Sequence, residues 1–193
     1  DAGLPQFKKD LAETIDGMLA QKYDGEAAPR LVFFSPIAHE NLRSPHLPDG
    51  TANNEKLAKY TLAMEEVCRS KKVAFVDLFS ATKKLYASVE KPLTVNGIHL
   101  LDHGDRAVAN VIVKELFGIE KQNLREAELE KIRHAVLDKN YHWFSRYRVI
   151  DGYNVFGGRS KLAWFGQSNA DVMMREMEIF DVMTANRDKR VWA

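Results

Sequence analysis

Val73-Ala74-Phe75-Val76-Asp77-Leu78-Phe79 is apolar at every position but one. A strand with one solvated face alternates apolar and polar residues. A run of consecutive apolar residues instead suits a strand buried on both faces, as in a parallel sheet covered by helices. Leu31-Val32-Phe33-Phe34, closed by Pro36, is a second run of this kind. Helical spacing surrounds both. Ahead of the first run, Phe7, Leu11, Ile15, Met18 and Leu19 follow Pro5, which suits a helix first turn, and Gly25 and Pro29 mark the exit. Leu57, Tyr60, Met64, Val67 and Cys68 trace a helix between the runs. After them, Thr82 to Ser88 reads as a short helix, and Ala107, Val108, Val111, Ile112 and Leu116 as a longer one that stops at Gly118. The order helix, strand, helix, strand, helix predicts an α/β fold with a parallel sheet and right-handed crossovers.

Beyond Gly118 the character changes. Residues 121 to 147 are charged and helical, with Leu124, Leu129, Ile132, Val136 and Leu137 on one face, followed by the aromatic residues Tyr141, Trp143, Phe144 and Tyr147. Leu162 to Phe165 reads as a short strand, and Ala170 to Met183 as a helix with Val172, Met173, Met177, Phe180 and Met183 as its stripe. Two regions are therefore expected: residues 1–118 as the α/β portion and residues 119–193 as a helical extension packed on it, with Tyr141, Trp143 and Phe144 sealing the contact.

Composition narrows the function classes. The 193 residues carry a formal net charge of +1 with no basic stripe, which gives no reason to expect a nucleic-acid partner. Apolar runs fall far short of a membrane span. The chain begins at Asp1 without an initiator Met or a signal peptide, so a processed protein or a fragment is expected. The single cysteine, Cys68, lies among apolar residues of a helix and reads as a buried thiol. His134 and His142 have no metal-ligand partners at useful spacing, so no metal and no cofactor is expected.

The stretch that carries chemistry is Thr94-Val95-Asn96-Gly97-Ile98-His99-Leu100-Leu101-Asp102-His103-Gly104-Asp105-Arg106-Ala107. It resembles the last block of SGNH/GDSL-type hydrolases, a D-G-x-H-L-like loop that leads into a helix with a glycine near its start. Val76-Asp77-Leu78-Phe79 and the strand ending in Ser35-Pro36 are similar to the segments that precede that block. The resemblance covers roughly residues 1 to 118. It implies a partial three-layer flavodoxin-like sheet and hydrolysis of carboxylic esters, carbohydrate acetyl esters among them. A small-molecule or carbohydrate ester would be the substrate. His99 would be the general base, its unperturbed pKa lying near neutrality.

Asn96 stands where the family has an aspartate. An amide accepts the ring N–H but lends the imidazolium no negative charge, and the corresponding swap in a serine protease costs about 10⁴ in turnover. Asp102 is the nearest carboxylate in sequence that would substitute. The bland alternative for His99 is a cap on the following helix.

The family's serine block, G-D-S-like, and its glycine and asparagine oxyanion donors do not occur before His99. The resemblance therefore implies a fragment whose nucleophile lies upstream, possible other domains of a longer chain included among its partners. Ser35-Pro36-Ile37-Ala38-His39-Glu40-Asn41 and Trp164-Phe165-Gly166-Gln167-Ser168-Asn169-Ala170-Asp171 look like segments of SGNH-like modules in planctomycete-type multidomain proteins whose downstream parts bind haem. That likeness leans towards an exported bacterial protein and keeps a non-catalytic binding or scaffold module open.

Two further groups are candidates. His39, Glu40 and Asn41 follow a strand end, where open α/β sheets place ligands. They are candidate substrate contacts, although loop polarity alone would also put them there. Gly166-Gln167-Ser168-Asn169 resembles the nucleophile turn of acetylesterases, which would make Ser168 the serine of a permuted enzyme. Ser168 as an ordinary helix cap is the competing reading.

Overall fold

The computed structural model describes residues 2–119, 125–149 and 151–193. The chain divides into two compact units, Asp1–Gln122 and Asn123–Ala193, a few residues beyond the division drawn after Gly118 from the sequence.

The first unit is α/β. Helix α1 (Leu4–Leu19), strand β1 (Val32–Phe34), helix α2 (Thr51–Lys71), strand β2 (Ala74–Val76), helix α3 (Leu78–Ser88) and helix α4 (Asp102–Phe117) follow in order. β1 and β2 are parallel, with Val32 opposite Ala74, Phe33 opposite Phe75 and Phe34 opposite Val76. Ser35 N donates to Val76 O at 3.0 Å and carries the ladder one residue past β1.

Each face of this pair has its own core. On one face Ile15, Val67 and Cys68 are buried, and Leu31, Phe33, Val73 and Phe75 pack against them. The fully buried Cys68 thiol has its pKa pushed up by loss of solvent, as an inert structural thiol should. Lys8–Glu66 and Lys71–Asp16 ion pairs tie α1 to α2 at the edge of that layer. On the other face Val76, Leu78 and Val108 are buried with Ile37, Leu100, Val111, Ile112 and Leu116 around them.

This second layer stops at β2. Val32 and Phe34, on the same face as Val76, remain 39% and 37% exposed. The expectation that Leu31 to Phe34 is buried on both faces is therefore corrected. One face of β1 is covered by α1 and α2, while the buried cluster on the other face joins α4 to Val76 of the neighbouring strand.

Several boundaries differ from the sequence reading for local reasons. The run from Val73 to Phe79 is strand only as far as Val76, because the Asp77 carboxylate accepts from Ser80 N at 2.8 Å and starts α3 at Leu78. Gly50 takes a left-handed φ of 80° and lets α2 begin at Thr51. Gly118 closes α4 with φ 63°, the left-handed cap expected of it.

The second unit is built on two long helices, α5 (Glu126–Tyr147) and α7 (Asn169–Val191). Between them lie α6 (Gly152–Val155) and a hairpin of β3 (Ala163–Trp164) and β4 (Gln167–Ser168). Asp138 and Lys139 pair with Arg187 and Asp188 near the end of α7, whereas Arg146, later on α5, pairs with the earlier Asp181, so the two helices run antiparallel.

The face expected to be apolar on α5 is not the buried one. Leu129, Ile132 and Leu137 are exposed, whereas Ala135 and His142 are buried; Leu124 lies outside the described residues. Tyr141, Trp143, Phe144 and Tyr147 are each more than half exposed, so the aromatic cluster forms no core. Buried Met177 on α7 and Val155 on α6 supply apolar contacts instead, and charged pairs complete the helix interface. No described helix is long and apolar enough to cross a membrane.

The interface charges give a pH dependence. A hydrogen bond from Arg187 holds the Asp138 carboxyl below its ordinary value of 3.8. A depressed folded pKa means that this stabilisation is present above the unfolded value and is lost as pH falls through the folded one. In thermal melts by circular dichroism, wild type should therefore melt above Asp138→Asn at pH 7. The difference should shrink steadily as pH is taken below 3.8. A constant offset across that range would contradict the pairing.

Candidate functional site

The site is built on the segment that leaves β1. Three polar ties fasten it in succession. Ser35 Oγ accepts from Phe79 N at 2.8 Å, and Ala38 N donates to Thr82 Oγ1 at 2.8 Å, joining the segment to the first turns of α3. The third tie is Glu40. Its carboxylate accepts from Leu93 N at 3.0 Å, from Thr94 N at 2.8 Å and from the Thr94 hydroxyl at 2.6 Å. Glu40 is 6% exposed, and a carboxylate so buried is tolerated because these donors replace its water. The same residue's backbone N donates to Gly97 O at 2.8 Å.

His39 packs under the same loop. Its backbone N and O make a two-way bond with the Asn54 amide, each at 2.8 Å, and its Nδ1 lies 3.0 Å from Asn53 Nδ2. The ring is squeezed between Gly50 and Gly97, where any Cβ would overlap it. Its Nε2 is buried without a hydrogen-bond partner among the described residues. His39 and Glu40, candidate substrate contacts in the sequence, thus support the loop, and both also line the cleft that Asn41 borders. Asn41 is exposed, and its Oδ1 accepts from Arg43 N at 2.8 Å in a local turn. With Arg43, Lys83 and Tyr86 it borders an open cleft of about 610 Å³. The Tyr86 hydroxyl there is buried, without a hydrogen bond of good geometry among the described residues, beside Thr82. Burial and the Glu40 charge push this phenol up to about 12.

Resting on these supports, residues 94–100 form a tight loop. Thr94 and Leu100 bridge antiparallel, Val95 N donates to His99 O at 2.9 Å, and Gly97 takes a left-handed φ of 93°. Asn96 Oδ1 is its hub, accepting from Ile98 N at 3.3 Å and His99 N at 3.0 Å while lying 3.1 Å from His99 Nδ1. Two backbone donors fix which end of the amide faces inward. The oxygen is therefore the atom that meets the ring, and Nδ1 must be the nitrogen that carries hydrogen. Nε2 is left with the lone pair. The ring is exposed, and no described hydroxyl hydrogen-bonds it.

Asp102 does not substitute for Asn96. It is the first residue of α4 and pairs with Arg106 at 3.4 Å, in a position that favours a carboxylate by the helix dipole. Gly104 lets α4 lie against the Leu93 carbonyl, which a Cβ would overlap, so the helix that follows His99 is docked on the same anchored strand of loop. His103 is exposed, with Nε2 2.8 Å from Pro92 O.

Ser168, in the second unit, caps α7 in a capping box. Its hydroxyl donates to the Asp171 carboxylate at 2.6 Å and accepts from Asp171 N at 3.1 Å. Among the described residues, no group of three or more His, Cys, Asp or Glu side chains is arranged to hold a metal ion. Comparison with models of known protein families, with curated proteins and with solved structures finds no match.

What the sequence reading missed is the support: Asn53 and Asn54 on His39, and Leu93 and Thr94 on Glu40. Asn53-Asn54, following a Gly50 in a polar loop, was the available signal.

Removing the Glu40 carboxylate leaves the Leu93 and Thr94 N–H groups buried and unpaired, at about 1–3 kcal/mol each. Glu40→Ala should lower unfolding stability by roughly 3 kcal/mol in urea titrations. Gly97→Ala should destabilise as well, through the left-handed φ and the overlap with His39. A Glu40→Ala variant as stable as wild type would contradict the clamp.

Proposed function

We propose that the first unit is the histidine-bearing part of an SGNH/GDSL-type ester hydrolase module, with a flavodoxin-like sheet of which β1 and β2 are two strands. Its chemistry would be hydrolysis of carboxylic esters, carbohydrate acetyl esters included. The observation that carries this reading is the Asn96–His99 pair, oriented at the carboxyl ends of parallel strands, where open α/β sheets act on ligands.

In this reading a serine hydroxyl gives its proton to His99 Nε2 as the oxygen attacks the ester carbonyl, and the imidazolium later returns it to the leaving alcohol. Asn96 Oδ1 holds Nδ1–H throughout. The large loss on an aspartate-to-asparagine change in a serine protease comes from the wrong tautomer. The backbone donors on Asn96 favour the right one, so only the missing negative charge counts against His99. The serine and the oxyanion donors come from a segment outside these 193 residues. The uncovered Val32 and Phe34 of β1 support this, because a parallel sheet is stable with both faces covered and more than two strands.

Ser168 gains no support as an alternative, its hydroxyl being engaged by Asp171. The absence of a described hydroxyl on His99 favours a second reading, a non-catalytic module of the same fold, and one experiment separates the two.

With p-nitrophenyl acetate, the 193-residue chain should show no turnover above its His99→Ala variant. The protein extended to include the serine segment should be active, and His99→Ala should lower its kcat about 10²–10⁴-fold. Turnover by the short chain that survives His99→Ala, or that is lost in Ser168→Ala, would overturn the reading. An extended protein indifferent to His99→Ala would leave the scaffold reading standing.

A further inference from the structure

The second unit holds a cleft of about 460 Å³ that the esterase reading does not use. Its upper wall is the tip of the β3–β4 hairpin. Trp164 and Phe165 present their rings there, 77% and 99% exposed, with centroids 6.1 Å apart and planes 41° from parallel. The hairpin turns on Phe165 and Gly166, both with positive φ, 48° and 80°. Asparagine or glycine suits the first of these positions, and a phenylalanine there costs backbone strain. The chain thus combines backbone strain and solvent exposure to hold an aromatic ring at the hairpin tip.

Amides form the polar part of the cleft. Asn154, Gln167 and Asn169 line it, and Asn169 Nδ2 donates to Arg159 O at 3.1 Å, which fixes that side chain and leaves Oδ1 as its acceptor. Val172 and Met173, from the first turns of α7, supply an apolar floor. None of these lining residues carries a formal charge.

We infer that this cleft binds a neutral carbohydrate. A pyranose ring offers an apolar C–H face for an aromatic ring and a rim of hydroxyls that both donate and accept. Amides are the side chains that match such a rim, having donor and acceptor in one group. The volume lies within the range of small-ligand sites, which combine apolar walls with a few placed polar groups. An anionic or cationic ligand finds no countercharge in the lining. Trp164 and Phe165 each offer an exposed ring beside these amides, against which one sugar face stacks. The inference stands independently of the esterase reading, which concerns the other unit.

The three tryptophans make the test direct. Indole N–H signals of the 15N-labelled chain are assigned by single substitutions and followed during titration with xylohexaose, cellohexaose and hexa-N-acetylchitohexaose. At least one of these should shift the Trp164 signal in a saturable manner at concentrations up to roughly 10 mM. Trp164→Ala should weaken that binding at least tenfold by calorimetry, and Phe165→Ala should weaken it severalfold. Both residues are exposed, so unchanged circular dichroism verifies the fold of each variant. Trp192→Ala, at the far end of α7, should bind as wild type.

No saturable shift with any of the three sugars would overturn the inference, as would binding that survives Trp164→Ala. Cosedimentation with phosphatidylcholine–phosphatidylglycerol vesicles that is lost in Phe165→Ala, without sugar binding, would assign the tip to a lipid surface instead.

Discussion

The first unit depends on a buried carboxylate. Glu40 sits at the end of the segment leaving β1, while the donors it accepts from, Leu93 N, Thr94 N and the Thr94 hydroxyl, lie beyond α3. A charge taken out of water is costly unless its oxygens are filled by donors of good geometry, and here they are. The same bonds that make Glu40 tolerable hold the start of the 94–100 loop in one place. With Glu40 N on Gly97 O and the His39 ring against Gly97, the loop has little freedom to move. Asn96 then has fixed backbone donors, and the orientation of His99 follows from it. One long-range electrostatic contact is thereby converted into the tautomer of an exposed imidazole.

Much of the architecture was legible because it is local. Two continuous apolar runs predict the two parallel strands, helical spacing predicts α1, α2 and α4, and Gly118 predicts where α4 ends. Asp77 was harder, since a polar residue inside an apolar run reads as a tolerated interruption. Its role as the cap of α3 depends on a helix already forming behind it. The parts the sequence could not show are those decided at long range. That Glu40 would clamp a loop was not legible, because its partners Leu93 and Thr94 lie more than fifty positions away. On α5, Leu129, Ile132 and Leu137 have the spacing of a buried face, but ion pairs around Ala135 and His142 define the packed one.

The two units deploy apolar residues differently. In the first, the unused apolar surface is the β1 row of Val32 and Phe34, and it marks an edge at which the sheet is open. In the second, aromatic residues are held outward, and the tip of the β3–β4 hairpin keeps Phe165 almost wholly in solvent at a positive φ. Exposed rings on a turn beside amides suit the proposed recognition surface, whereas Val32 and Phe34 are a partly exposed row on one face of a strand.

The central claim is that the Glu40-anchored loop presets His99 as the Nδ1–H tautomer, with Nε2 available as base. Long-range 1H–15N correlation of the histidine rings at a pH where His99 is neutral tests it most directly. The account predicts a protonated, pyrrole-type Nδ1 and a pyridine-type Nε2 for His99 in wild type, with that distinction averaging out in Asn96→Ala. A His99 ring protonated at Nε2, or one that exchanges freely between tautomers in wild type, would contradict it.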